Sequence, residues 1–305
     1  MSAYFTIIAL IAGGWALART RIFPDQTPQA LNQIVLVLCL PALILIHVPT
    51  LEASWSLLPL VLIPWLLLGV TIAVVLPLAR WLELSREVTA TLLVLIPLGN
   101  TSFLGLPLVE ALLGSEFIRL AVVYDQFGSF LIVCTHVLFV VGWYGAGDNP
   151  SVGSMAKQIV TFPPFIALIT ALLVGNAWFP EWLMALTERF ADMLLPLVTL
   201  AVGMSLKLRL VRDYRAALLI GLTGKLLVLP ALALLMALAF GASRDIGAVA
   251  VLESAMPPMI TAAALLAGAR LAPALGSALV AWGVLVSALT VPLWLWVSDL
   301  ILQSG

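Results

Sequence analysis

The sequence predicts an all-α polytopic membrane protein, with about ten transmembrane helices in two inverted five-helix repeats. Three observations lead there. First, 63% of the 305 residues are hydrophobic and only 10% are charged, whereas about a quarter of a soluble domain is charged. Second, the apolar residues fall into about ten runs, each near the roughly 20 residues a helix needs to cross a bilayer. Third, basic residues concentrate in alternate loops. Only helices and closed barrels satisfy every backbone group in lipid, and barrel strands would be shorter and alternating.

Cut at charges and turn residues, the spans run approximately Ala3–Ala18, Leu31–Val48, Leu57–Ala79, Val88–Leu113, Phe117–Trp143, Ile159–Trp178, Phe190–Leu206, Ala216–Phe240, Ile246–Ala267 and Pro273–Leu300. The first run starts at once, without a basic region before it, so no cleaved signal peptide is expected. Odd-numbered loops hold Arg19, Arg21, Arg80, Arg86, Lys157, Lys207, Arg209, Arg212, Arg215 and Arg270, while even-numbered loops hold Arg119, Arg189 and Arg244. The positive-inside rule then puts odd loops in the cytoplasm and both termini outside, in the inner membrane if the source is bacterial. The net charge of −1 excludes a nucleic-acid footprint, which needs clustered Lys and Arg. Cys39 and Cys134 lie in apolar runs and read as small core residues. No metal-ligand spacing or cofactor motif is present.

The most polar connection, Gly145–Ser154, divides the chain into residues 1–143, a cytoplasmic loop at 144–156, and residues 157–305. Five spans per half is an odd number, so similar halves would lie in opposite orientations, as in many secondary transporters. The fourth span carries Pro97, Gly99 and the polar triplet Asn100-Thr101-Ser102; the ninth, fourth in its own half, carries Ala255-Met256-Pro257-Pro258-Met259-Ile260-Thr261. Proline removes a helical hydrogen bond and frees a carbonyl one turn earlier. Broken backbone at membrane depth survives only where protein buries it or a wet cavity meets it. If the two breaks cross, the second half-helices offer free N–H groups to an anion, and the first halves offer carbonyls to a cation. One kinked span would be read as structural. Two breaks at matching positions point to a binding site formed by Asn100, Thr101, Ser102, Pro257, Pro258, Met259 and Thr261.

Charges inside the spans extend the candidate list. Lys225 lies about ten residues beyond Arg215, hence about 15 Å into the bilayer at 1.5 Å per residue, too deep to snorkel comfortably. Intramembrane charges are functional candidates with a partner to be named. For Lys225 that partner is Glu253, one turn before Pro257; Asp125 and Gln126 lie about two turns into the fifth span. His136 and Asp192 read as structural pairs between helices, and His47 as interfacial. Trp55, Trp143, Trp178, Trp182, Trp294 and Trp296 fall near span ends, as interfacial anchors do.

GNTSFLGLPLVEALLG in the fourth span and AMPPMITAAALLAG in the ninth resemble the paired motifs of the auxin efflux carrier family, which includes bacterial homologues of about this size. The resemblance covers the whole chain and includes LPALIL in the second span matched by LLPLVTLAVGMSL in the seventh. It implies secondary transport of small organic anions (auxin in plants, malate or malonate in bacteria) on a fold similar to that of the bile-acid sodium symporters. There a core domain holds two crossed, broken helices, which Asn100 and Pro257-Pro258 would mark here. Glu253 resembles the acidic residue that binds sodium beside the ninth-span break. Lys225 departs from that pattern: its ammonium could replace the sodium ion and leave protons or uniport as the mode of coupling. The expected partners are a small organic anion and the lipid bilayer; a homodimer is left open.

Two other readings compete. A drug/metabolite-type carrier also has about ten spans in inverted halves, but does not require matched proline breaks. A non-transporting membrane sensor would bind at the same breaks without flux. An enzyme is not expected, because Gly203-Met204-Ser205 lacks the second glycine of a nucleophile elbow and the chain has only two histidines.

Overall fold

Runs of leucine, valine and alanine wind into helices because no water competes for their backbone at membrane depth. The computed structural model describes residues 2–20, 22–51, 54–145, 151–174, 180–208 and 212–302. Among them there is no strand, only an isolated bridge between Gly99 and Pro258. The helices are α1 (Ser2–Thr20), α2 (Thr27–Thr50), α3 (Trp55–Trp81), α4 (Arg86–Leu95), α5 (Thr101–Leu112), α6 (Ser115–Tyr144), α7 (Val152–Val160), α8 (Pro163–Val174), α9 (Glu181–Asp192), α10 (Leu194–Ser205), α11 (Arg215–Ala239), α12 (Arg244–Ser254), α13 (Ile260–Gly268) and α14 (Pro273–Leu302).

Five of these, α2, α3, α6, α11 and α14, are long and apolar enough to cross a membrane unbroken. The chain is an all-α polytopic membrane protein. The fourth and ninth expected spans each arrive as two helices around a non-helical break, α4 with α5 and α12 with α13. Two spans differ from expectation. The sixth starts seven residues early at Val152 and bends by 62° between α7 and α8. Pro163 and Pro164 cause the bend, since proline lacks an N–H and disfavours helix in the residue before it. The seventh starts at Glu181, because Glu188 and Arg189 lie on the exposed side of a helix rather than in a loop. Arg21, Arg209, Trp178 and residues 146–150 of the central connection lie outside the described residues.

The chain forms two units, between which it passes repeatedly. One comprises Met1–Ala53, Ser102–Val122 and Lys157–Leu206. In it α1 packs along α10, and α2 packs against α8, α9 and α10. A Cβ on Gly14 would collide with the carbonyl of Leu200, and one on Gly203 with that of Ile11. These helices therefore touch main chain to main chain, the close approach by which small residues associate helices in lipid.

The other unit comprises Ser54–Thr101, Val123–Ala156 and Lys207–Gly305. Here α12 packs against α11 and α14, and α4 against α14, around Leu92, Leu252, Leu275 and Leu279. The helices leading to the breaks start alike. Ser85 accepts the Val88 N–H at the head of α4, and Ser243 accepts that of Ile246 at the head of α12. Each serine is followed by arginine and then an acid, Arg86-Glu87 and Arg244-Asp245. The serine satisfies an orphan donor and the acid faces the positive helix end.

Candidate functional site

Both breaks follow from proline. After Leu95 the helix α4 cannot continue through Pro97, and Leu98 to Asn100 run on outside helical geometry. Beyond Ser254, Pro257 and Pro258 have no N–H to give the carbonyls of Glu253 and Ser254. The two non-helical stretches pair antiparallel. Asn100 N–H donates to the Pro257 carbonyl at 2.8 Å, and Met259 N–H donates to the Leu98 carbonyl at 3.2 Å. The backbone opened by proline is thus satisfied inside the protein, as lipid requires. Two glycines permit the approach. A Cβ on Gly99 would lie 3.1 Å from the Lys225 Nζ and 3.2 Å from the Glu253 carbonyl oxygen; one on Gly283 of α14 would lie 2.5 Å from Pro258 Cδ.

Polar side chains gather around this pairing. Asn100 is 1% exposed, and among the described residues neither its Oδ1 nor its Nδ2 has a hydrogen-bond partner. Thr101 Oγ1 donates to Asp125 Oδ1 at 2.5 Å, and Gln126 Nε2 donates to Asp125 Oδ2 at 2.7 Å. Glu253 is 0% exposed, and both its carboxylate oxygens lack a partner among the described residues, as does Gln126 Oε1. Glu253 lies within electrostatic reach of Asp125, Lys225 and Tyr124. Pro257 and Pro258 are buried, while Met259 and Thr261 are half-buried. Ser102 opens the chain's next stretch in the other unit and has an interaction of its own.

The expected Lys225–Glu253 ion pair is not made as a direct contact. Lys225 is fully enclosed at 1% exposure, yet no hydrogen bond reaches either Glu253 oxygen among the described residues. The reason is where the lysine points: its ammonium ends against Gly99, in the backbone of the fourth-span break. It acts on Glu253 through space rather than by contact. Among the described residues no three His, Cys, Asp or Glu side chains are grouped to hold a metal ion.

A family model described as membrane transport protein, that of the auxin efflux carriers, matches residues 1–295. The chain belongs to the auxin efflux carrier family. It is similar to an uncharacterized transporter of Methanothermobacter thermautotrophicus, 26% identical over 299 residues and covering 95% of each chain. An uncharacterized transporter of Methanocaldococcus jannaschii is 24% identical over 215 residues, 68% of each chain. Membership makes this an integral membrane protein of a transporter family.

In this auxin efflux carrier family protein, three ring N–H groups serve the site in a way the sequence did not reveal. Pro97 leaves the Leu93 carbonyl without its helical donor, and His136 Nε2 donates to it across 3.1 Å. Pro230 does the same to Leu226, whose carbonyl accepts from Trp294 Nε1 at 2.8 Å. Within the π turn Asp125–Phe130, the Phe127 carbonyl accepts from Trp65 Nε1 at 3.0 Å. Trp294 is half-buried and gives its N–H to the protein, whereas Trp55, Trp143, Trp182 and Trp296 are exposed. His136 ties two helices together, and Asp192 has the like charge of Glu110 within electrostatic reach. A proline four residues beyond each carbonyl marks two of these acceptors in the sequence, but nothing there marks the donors.

Proposed function

We propose that this protein is a secondary transporter that moves a small organic anion, a carboxylate or an auxin-like acid, across the membrane by alternating access. The substrate binds at the paired breaks, among Asn100, Thr101, Pro257, Pro258, Met259 and Thr261. One observation carries this reading: the buried Asn100 amide has no partner for either polar atom among the described residues. A buried amide left unpaired costs about 1–3 kcal/mol, and a carboxylate would accept its N–H. The adjacent head of α13, which no side chain caps, adds backbone N–H groups and a positive dipole end.

Coupling falls to Lys225, Glu253, Asp125 and Gln126. The cluster holds two carboxylates and one ammonium, so full ionisation leaves one negative charge in excess where charge is expensive. A proton on Glu253 removes the excess, and transport runs without sodium. The inverted repeat, with both termini outside, is supported by the basic-residue asymmetry and by the matched Ser-Arg-acid starts of α4 and α12.

The test is flux into proteoliposomes with radiolabelled malonate, malate and indole-3-acetate, with and without sodium. Uptake of one of them, independent of sodium, is expected; strict sodium dependence overturns the coupling scheme. Binding without flux would make the protein a sensor. Asn100→Ala should weaken binding by roughly 5- to 150-fold, the equivalent of about 1–3 kcal/mol. A folded Asn100→Ala protein of unchanged affinity returns Asn100 to a purely structural role.

A further inference from the structure

We propose that Trp294 is a positioning residue for Lys225: its indole N–H on the Leu226 carbonyl fixes the π turn that aims the ammonium at the fourth-span break. The proposal rests on the reading that Lys225 serves transport. Lys225 sits in the π turn Gly224–Val228, within α11. A π turn carries one extra residue and is frequently found at functional sites. In a regular helix the Leu226 carbonyl would accept the N–H of residue 230, but that residue is proline. Lipid offers no donor to replace that N–H, so a neighbouring helix must. The Trp294 indole does, at 2.8 Å from α14.

The consequence for Lys225 is angular. Consecutive residues of a helix are about 100° apart. If Leu226 had to find another backbone donor, the turn would rewind by one residue and swing Lys225 away from Gly99. With the carbonyl held from outside, the wide turn persists and Nζ ends beside the Gly99 backbone. The same helix α14 places Gly283 against Pro258, so one rigid element references both the ninth-span break and the lysine. The second charged turn is built likewise. Trp65 holds the Phe127 carbonyl, and Gly128 packs onto Pro64 beside that tryptophan, fixing the turn that carries Asp125 and Gln126. Two indoles from two helices thus set two π turns, each carrying charge into the same cluster.

The test uses the full-length protein in nanodiscs and reads its thermal unfolding midpoint across a pH series, so it needs no substrate. Trp294→Phe keeps an aromatic ring and removes the donor. Glu253 is the charge within reach of Lys225, and Asp125 and Tyr124 lie within reach of Glu253, so every variant is repeated in a Lys225→Gln background. Trp294→Phe should move the pH profile of the midpoint by about half a pH unit or more, and should leave that profile unmoved once Lys225 is gone. A uniform drop at all pH values, equal in both backgrounds, overturns the proposal. Pro230→Ala restores an N–H four residues beyond Leu226. Combined with Trp294→Phe it should recover the midpoint, because the helix caps itself, but not the parental pH profile, because the turn is regular and Lys225 is re-aimed. Recovery of both makes Trp294 a mere cap and refutes positioning. This double variant also serves if Trp294→Phe alone fails to fold. Flux by Lys225→Gln separates the two readings: unchanged flux removes the role of Lys225 in transport, while the pH profiles still report whether Trp294 positions it.

Discussion

Asp125 and Glu253 are carboxylates of the same unit, both shut off from solvent, and they are furnished in opposite ways. Asp125 opens a π turn and accepts from Thr101 on one oxygen and from Gln126 on the other. Glu253 stands in the last turn of α12, one residue from the helix end, with neither oxygen paired among the described residues. The negative end of a helix dipole is an unfavourable place for an anion. Matched donors make a buried carboxylate a fixed part of the frame, because taking one away leaves others stranded. A bare carboxylate has nothing to lose by changing its protonation or its partner. The pair thus differs in kind: Asp125 ties the break to the fifth span, and within the proposed coupling group Glu253 is the member whose proton can change without breaking a hydrogen bond.

The largest expected effect attacks the furnished member. Asp125→Ala strands the Thr101 hydroxyl and the Gln126 amide in the interior and should cost about 2–5 kcal/mol of stability, seen as a large fall in unfolding midpoint. A variant as stable as the parent would end the distinction between the two acids. Next comes the bare member. Glu253→Gln breaks no hydrogen bond among the described residues, so stability should stay within about 1 kcal/mol of the parent or rise, while transport loses its dependence on pH. Destabilisation as severe as that of Asp125→Ala, or an unchanged pH dependence of flux, would break the comparison from the other side. Thr101→Val is the smallest, removing one donor to Asp125 for about 1 kcal/mol. A loss matching that of Asp125→Ala would mean that Thr101, rather than the carboxylate, organises the break.

Much of this was legible in the sequence, because lipid makes polarity conspicuous. Pro97, Gly99 and Asn100 stand out in a leucine-rich run, as do Lys225 and Glu253, and the structure gathers Asn100, Lys225 and Glu253 around paired backbone. Which side chain touches which was not legible. Lys225 and Glu253 lie on different helices, and spacing along each says nothing of the angle at which Nζ leaves a π turn. Trp294 and Trp296 are two residues apart and identical in type. One donates to Leu226 while the other is 63% exposed. Only the packing of α14 on α11 separates them. The bend between α7 and α8 had its signal in Pro163-Pro164, yet apolar composition alone drew the span straight.

The link between Pro230 and Trp294 has a consequence for inheritance. A proline here creates a debt in the backbone four residues earlier, and a ring 68 residues away from that carbonyl in sequence settles it. Without the indole the proline leaves that carbonyl bare, and without the proline the indole is only a second donor to a carbonyl its own helix already serves. Among descendants of this chain the two positions should therefore be lost or kept together, and a lineage that exchanged the proline first would be the one in which the tryptophan is free to drift.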